Sequence, residues 1–226
     1  MTNSTNRNPT HPVAPFILER WSPRAFTPAP LDKADLLRLL EAGRWAPSAY
    51  NAQPWRFLYA LRGTPEWDRH LSWLIPFNQS WAQNASAIIY VASRTVSISS
   101  KTGEPIPSPT HAFDAGAASV LIQLQANQQG LAAHPISGFD KALAHAGLDL
   151  PEDHELHAAI IIGQQGEASL LPEGLREREV PADRVALDDI AVEGRFVAKP
   201  GAWLPKGARP LDDRRSGPWQ RWCTMP

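Results

Sequence analysis

Two guanidinium groups and a hydroxyl fall within five residues in Arg20-Trp21-Ser22-Pro23-Arg24. An arginine fork gives paired, charge-assisted hydrogen bonds to two oxygens of a phosphate, and a serine hydroxyl adds a further donor. Farther along, Ala46-Pro47-Ser48-Ala49-Tyr50-Asn51-Ala52-Gln53-Pro54-Trp55 sets two prolines around small and amide-bearing side chains. Proline fixes φ and cannot continue a helix, so this is a stiff loop that presents polar groups in fixed places. A phosphate clamp beside such a loop points to a bound nucleotide-like cofactor.

The two phrases must be positioned by the elements around them. Phe16–Trp21 reads as a short helix that ends before Pro23. Asp32 is a good N-cap for a second helix running to Trp45, whose Leu36, Leu39, Leu40 and Gly43 form one apolar stripe and which Pro47 stops. Arg56–Leu61, Ala87–Ala92 and Leu156–Gly163 read as strands. The last two are almost continuously apolar, the pattern of strands buried on both faces. Pro65–Leu74 reads as a helix with proline in its first turn. Ser97–Pro109, with Gly103 and three prolines, reads as a mobile loop. Thr110–Gln129 is the clearest long helix, ended by Gly130, and it carries the small-residue run Asp114–Ala118. Pro135–Gly138 reads as a turn, and Asp140–Ala146 as a short helix. Strands separated by helices indicate a layered α/β or α+β protein.

The chain has 226 residues, 43% of them hydrophobic, which suffices for one domain with a real core. A formal net charge of −1 gives no reason to expect nucleic acid or an anionic membrane as partner. The single cysteine, Cys223, excludes an intramolecular disulfide and a cysteine metal cluster. Residues 1–15 lack an apolar run and read as a flexible arm rather than a secretory signal, so a cytoplasmic protein is the default. The composition is unusual in its 22 prolines and nine tryptophans. Residues 196–226 combine five prolines with Trp203, Trp219 and Trp222. This segment is either a disordered tail or an extended arm laid across another surface, such as a second subunit; burial of three indoles favours the arm.

The two phrases and their spacing resemble the flavin-dependent nitroreductase family. Its N-terminal pattern reads Arg-x-Ser-x-Arg/Lys, a helix, then Ala-Pro-Ser-x-x-Asn-x-Gln-Pro-Trp. The second phrase matches at every fixed position, and the resemblance covers residues 14–192. It implies an α+β, nitroreductase-like fold over residues 16–195, with a central mixed β-sheet surrounded by helices and an intertwined homodimer centred on the long helix. It implies FMN as cofactor and NAD(P)H as reductant. Arg20, Ser22 and Arg24 would hold the FMN phosphate, joined by Arg176 and Arg178, which resemble a basic pair that the family places there. Trp21 stands where the family often has Arg or His, so its contact would be through backbone. Pro135, Ile136, Ser137 and Gly138 would run along the flavin ring, with the Ser137 N–H facing N5 and Gly138 allowing close approach. Pro47, Ser48, Ala49 and Asn51 would reach the flavin across the dimer interface, while Gln53 and Trp55 anchor the loop to the next strand.

No Ser-His-Asp pattern, HExxH, P-loop or GxGxxG is present. The seven histidines are scattered and read as surface or packing residues. The resemblance therefore needs no catalytic side chain and no metal: the protein binds, orients and shields while the flavin carries hydride. It implies ping-pong reduction of nitroaromatics, quinones or similar acceptors. Two other readings share the cofactor. One is a specialised branch, reductive dehalogenase or flavin-fragmenting; the other is a non-catalytic FMN store or sensor.

Overall fold

The two most apolar segments of the chain pair with each other at the centre of a sheet. β2 (Ala87–Arg94) lies antiparallel to β6 (His154–Gly163), and the order is β1-β2-β6-β5, with β1 at Trp55–Leu61 and β5 at Ala132–Ile136. Residues 87–93 are all buried, as the absence of alternation requires. The computed structural model describes residues 7–196. Val13–Pro181 form one compact unit; residues 7–12 and 182–196 belong to a second, whose described part holds one turn of helix at Leu187–Ile190. The segment 197–226, with its three tryptophans and Cys223, lies outside the described residues, as do residues 1–6.

Helices cover both faces of the sheet. On one side, α2 (Lys33–Arg44) and α5 (His111–Gln128) supply Leu36, Leu39, Ala115, Ala118 and Ile122 to a core that includes Ile89, Val91, Ile160 and Ile162. On the other, α3 (Pro65–Ser72), α4 (Pro76–Ala82) and α6 (Lys141–Gly147) enclose Trp67, Trp73 and Trp81 against Ile88, Tyr90, Ala92 and Ile161. Odd and even residues of β2 thus serve opposite cores. At Gly43 α2 packs closely on α5: a Cβ there would lie 2.8 Å from Ile122 Cγ1 and 3.1 Å from Phe57 Cζ.

Several expectations are modified. Among the described residues every pairing in the four-stranded sheet is antiparallel, not mixed. After β1, α3 and α4 return the chain to the end where β1 stops, so Leu61 pairs with Ala87. The first helix, α1, spans Pro15–Glu19 rather than Phe16–Trp21. Asp32 does cap α2, but through its carbonyl, which accepts from Asp35 N at 3.0 Å and Leu36 N at 3.1 Å; its side chain makes no capping bond. Ser97–Pro109 is not all loop: β3 (Val96–Ile98) and β4 (Pro105–Pro107) form a two-stranded ribbon. Pro135 and Ile136 belong to β5, paired with Ile160 and Ala159, so only Ser137 and Gly138 leave the sheet. Proline is tolerated there because β5 is an edge strand. No described helix is long and apolar enough to cross a membrane.

Candidate functional site

The Arg20–Arg24 segment has no regular structure of its own, so side chains from distant elements must fix it. The Glu179 carboxylate does most of this. Its Oε1 accepts from the backbone N–H of Arg24 at 2.7 Å and of Ala25 at 2.8 Å. Gly166 N donates to Ala25 O at 2.8 Å and Thr27 N to Gln164 O at 3.0 Å, tying the segment to the exit of β6. From β5, His134 Nδ1–H donates to Pro23 O at 2.8 Å. This bond defines the tautomer, leaving the lone pair on Nε2.

Three guanidiniums gather around this segment. Arg20 Nη1 donates to Ser22 Oγ and to Gln123 Oε1, both at 3.4 Å. Arg24 is half-buried, and its Nε is shielded from solvent with no hydrogen-bond acceptor among the described residues. Burial lowers the Arg24 pKa; Arg178 adds to that effect and Glu179 opposes it. Burial likewise pushes the His134 imidazole down to about 4, its hydrogen bond to Pro23 opposes this, and the charges of Arg24 and Arg20 push the same way. His134 is thus neutral at pH 7, stacked on the Trp81 ring at 4.9 Å between centroids. Positive charge is concentrated here beyond what the single Glu179 carboxylate offsets, which suits a multiply charged anion. Arg176 is exposed and gives its Nε to Leu171 O at 2.9 Å; it acts within its own turn. Trp21 and Ser22 are partly exposed beside the arginines.

Two residues beyond His134 the sheet ends and the backbone is pinned again. The Gly138 carbonyl accepts from Ile75 N at 3.1 Å and from Asn78 Nδ2 at 2.9 Å. A Cβ at Gly138 would collide with Asn78 Nδ2 and lie 2.8 Å from Ile75 Cδ1, so any larger residue must displace those side chains. Ser137 is exposed at the mouth of this corner. The structure therefore brings Arg20, Ser22, Arg24 and Arg178 together with the end of β5.

The Pro47–Asn51 loop lies elsewhere. Its 3-10 turn is closed by Asn51 N to Ser48 O at 3.0 Å, and Ser48 Oγ accepts from Gln53 N at 3.0 Å. Tyr50, Asn51 and Gln53 all have positive φ, at 53°, 55° and 47°. Such a cluster of left-handed non-glycine residues costs free energy and persists where a fixed shape serves a site. Asp114, buried in α5, fastens the loop: its Oδ2 accepts from Ala49 N at 3.3 Å and from Thr110 Oγ1 at 3.2 Å. Trp55 is buried in the α2–α5 core and anchors the loop, as expected. Asp114 and Gln123 are nine residues apart on α5, which is about 13 Å of rise and two and a half turns. Within one chain, the loop and the arginine cluster flank opposite sides of that helix.

Four residues of this framework were not anticipated: Asp114, Gln123, His134 and Glu179. The only sequence signal for His134 is a polar residue inside an apolar strand; Glu179 sits in an alternating charge run that resembles any solvated surface.

A model of the Nitroreductase family matches residues 17–72 and 64–164 of the chain. The chain belongs to the nitroreductase family. Among known nitroreductase-family relatives is YdgI of Bacillus subtilis (strain 168), provisionally named an NAD(P)H nitroreductase. It is 28% identical over 199 residues, covering 74% of this chain and 92% of that protein. A solved structure described as an oxidoreductase containing FMN is 47% identical with a TM-score of 0.84, covering 88% of this chain and all of that one. A nitroreductase-family structure in complex with FMN from Desulfovibrio desulfuricans shares the fold, with a TM-score of 0.63 and 24% identity over 82% of this chain.

Proposed function

We propose that this nitroreductase-family chain is an FMN-dependent oxidoreductase. It takes hydride from NAD(P)H and passes it to nitroaromatics, quinones or similar electron-poor acceptors by a ping-pong route. The observation that carries the reading is the convergence of Arg20, Arg24 and Arg178 at the end of β5, where the buried Arg24 Nε–H has no acceptor among the described residues. An FMN phosphate would supply an acceptor for the Arg24 Nε–H and opposite charge for the cluster. Bound there, FMN supplies the redox chemistry, accepting hydride from the nicotinamide and giving it to the acceptor.

The residues of the chain would bind and orient. Arg20, Ser22 and Arg24 hold the phosphate, with Arg178 adding charge. Pro135, Ile136, Ser137 and Gly138 line the ring, with Pro135 and Ile136 held by their pairing to β6 and Gly138 by Asn78. His134, kept neutral by burial, supports the segment without competing for the anion. The relatives support FMN and NAD(P)H through what their own names record.

The site is completed by a second copy. Because the 47–51 loop and the arginines lie on opposite sides of α5, one chain does not close both around a single ligand. The exposed face of α5 offers Phe113, Gly116 and Val120 at helical spacing, with Phe113 at 81% and Val120 at 50% exposure. A homodimer across this face covers those side chains and brings Pro47, Ser48, Ala49 and Asn51 of each copy to the flavin of the other.

The test is anaerobic reduction of the purified yellow protein by NADH and by NADPH, followed by an acceptor panel. Rapid bleaching and reoxidation by a quinone or nitroaromatic support turnover. A flavin that stays oxidised indicates storage or sensing. Protein that is colourless and remains so with excess FMN overturns the reading. Arg20→Ala or Arg24→Ala should weaken FMN binding by about 1–3 kcal/mol, the worth of a charge-assisted bond.

A further inference from the structure

At the opposite end of α5 from Gln123, three potential metal ligands converge around a buried serine. We propose that His111, Glu155 and His157 form a binding site for a divalent transition-metal ion of the zinc class. Their ligand atoms all lie within 4.8 Å of one another. His111 Nε2 is 3.9 Å from Glu155 Oε2, and His157 Nδ1 is 4.0 Å from Glu155 Oε1.

The tautomers that suit a metal are ones Ser93 can hold; it is 0% exposed and sits between the two rings. Its Oγ is 2.8 Å from His111 Nδ1 and 2.6 Å from His157 Nε2. A hydroxyl oxygen has two lone pairs, so it can accept an N–H from each imidazole. In that arrangement both lone pairs are on the other nitrogens, His111 Nε2 and His157 Nδ1, the atoms nearest the Glu155 carboxylate. Metal-binding histidines are oriented in this way, with the distal N–H held by a fixed acceptor. One hydroxyl can hold both rings in this way.

The backbone places the groups from three elements. His111 is the first residue of α5. Ser93 pairs with Glu155 across β2 and β6, and between Val91 and Ala92 the register shifts, leaving His157 opposite no residue of β2. Such a bulge re-aims a side chain; here it puts His157 beside His111, with ring centroids 5.7 Å apart. Bonds of about 2.0–2.2 Å in a tetrahedral shell separate ligand atoms by about 3.3 Å. The separations run up to 4.8 Å, so closing them takes about 0.5–1.5 Å, shared between Glu155, whose side chain is 50% exposed, and small ring movements of the histidines, at 16% and 20%. Two imidazoles and one carboxylate suit zinc and its neighbours and leave a coordination position for water. A bound ion would tie the start of α5 to the sheet, one turn before Asp114. This site is independent of the flavin reading.

The experiment uses the full chain, stripped with a chelator, then titrated with Zn2+ calorimetrically and with Co2+ by visible absorption. Expected is one equivalent in the wild type that Glu155→Gln and His157→Ala lack, with a Co2+ spectrum of low coordination number. Ser93→Ala should retain the site but weaken it about 10–100-fold. Because Glu155 is half-exposed, its variant stays folded, which circular dichroism checks. If Glu155→Gln binds the same number of Zn2+ ions with the same affinity as wild type, or wild type shows no saturable Zn2+ or Co2+ binding, the proposal is overturned.

Discussion

Replacing Glu179 by alanine tests the framework of the arginine segment most directly. The carboxylate accepts two short backbone bonds, at 2.7 Å from Arg24 N and 2.8 Å from Ala25 N. Ala25 is completely buried, so water cannot replace the lost partner. Hydrogen bonds to charged groups contribute about 1.5–3 kcal/mol each, and an orphaned buried donor costs about as much. Arg24 is only half-buried and recovers some solvation, so we expect a loss of about 3–4 kcal/mol in folding stability. Denaturation by urea at one fixed protein concentration, with an unchanged m-value, measures it. Glu179→Gln separates geometry from charge. Glutamine keeps an acceptor oxygen in place, so about half of the stability should return. It also removes a negative charge next to the proposed phosphate site. FMN titration should therefore show at least tenfold weaker binding for Glu179→Ala, yet affinity no lower than wild type for Glu179→Gln. An alanine variant within 1 kcal/mol of wild type, or a glutamine variant that loses as much FMN affinity as alanine, refutes the reasoning.

Gly138→Ala should force Asn78 from its 2.9 Å bond and press on Ile75, costing about 2–3 kcal/mol; an unchanged melting temperature argues against the packing described. The His134 imidazole titrates near 4 when folded and near 6.5 when unfolded, so the unfolded chain takes the proton first. Its contribution is complete above about pH 6.5 and is lost on acidification to pH 4, by about 3 kcal/mol in total. His134→Gln should lose less stability than wild type between pH 7.5 and 4.5 in urea melts, and parallel slopes contradict this. Val120→Glu, on the exposed face of α5, should leave the fold intact while giving a monomer in light scattering with less bound flavin; a stable yellow dimer removes that face from the interface.

How much of this was legible beforehand depended on whether the cause was local. β2 and β6 were readable because strands buried on both faces need apolar residues throughout, and Ile88–Ala92 and Ile160–Ile162 satisfy that requirement. The Pro47–Trp55 loop was readable because its prolines and amides act through their own backbone. α4 was missed because Pro-Phe-Asn-Gln-Ser-Trp-Ala has no apolar stripe. What holds it is tertiary: Trp81 at 1% exposure, and Asn78 buried to reach Gly138. The β3–β4 ribbon was missed because Pro105 and Pro107 argue against any strand, a rule that relaxes when the strand has only one neighbour. Glu179 shows the limit most clearly. In the sequence it stands beside Arg176 and Arg178, where a carboxylate reads as opposing a phosphate, since like charges repel. In the fold it points at backbone N–H groups 154 and 155 residues away, and it is what sets the clamp in place. A charge in a sequence has a sign but no direction; direction decides whether that carboxylate opposes the bound anion or positions the arginines that receive it.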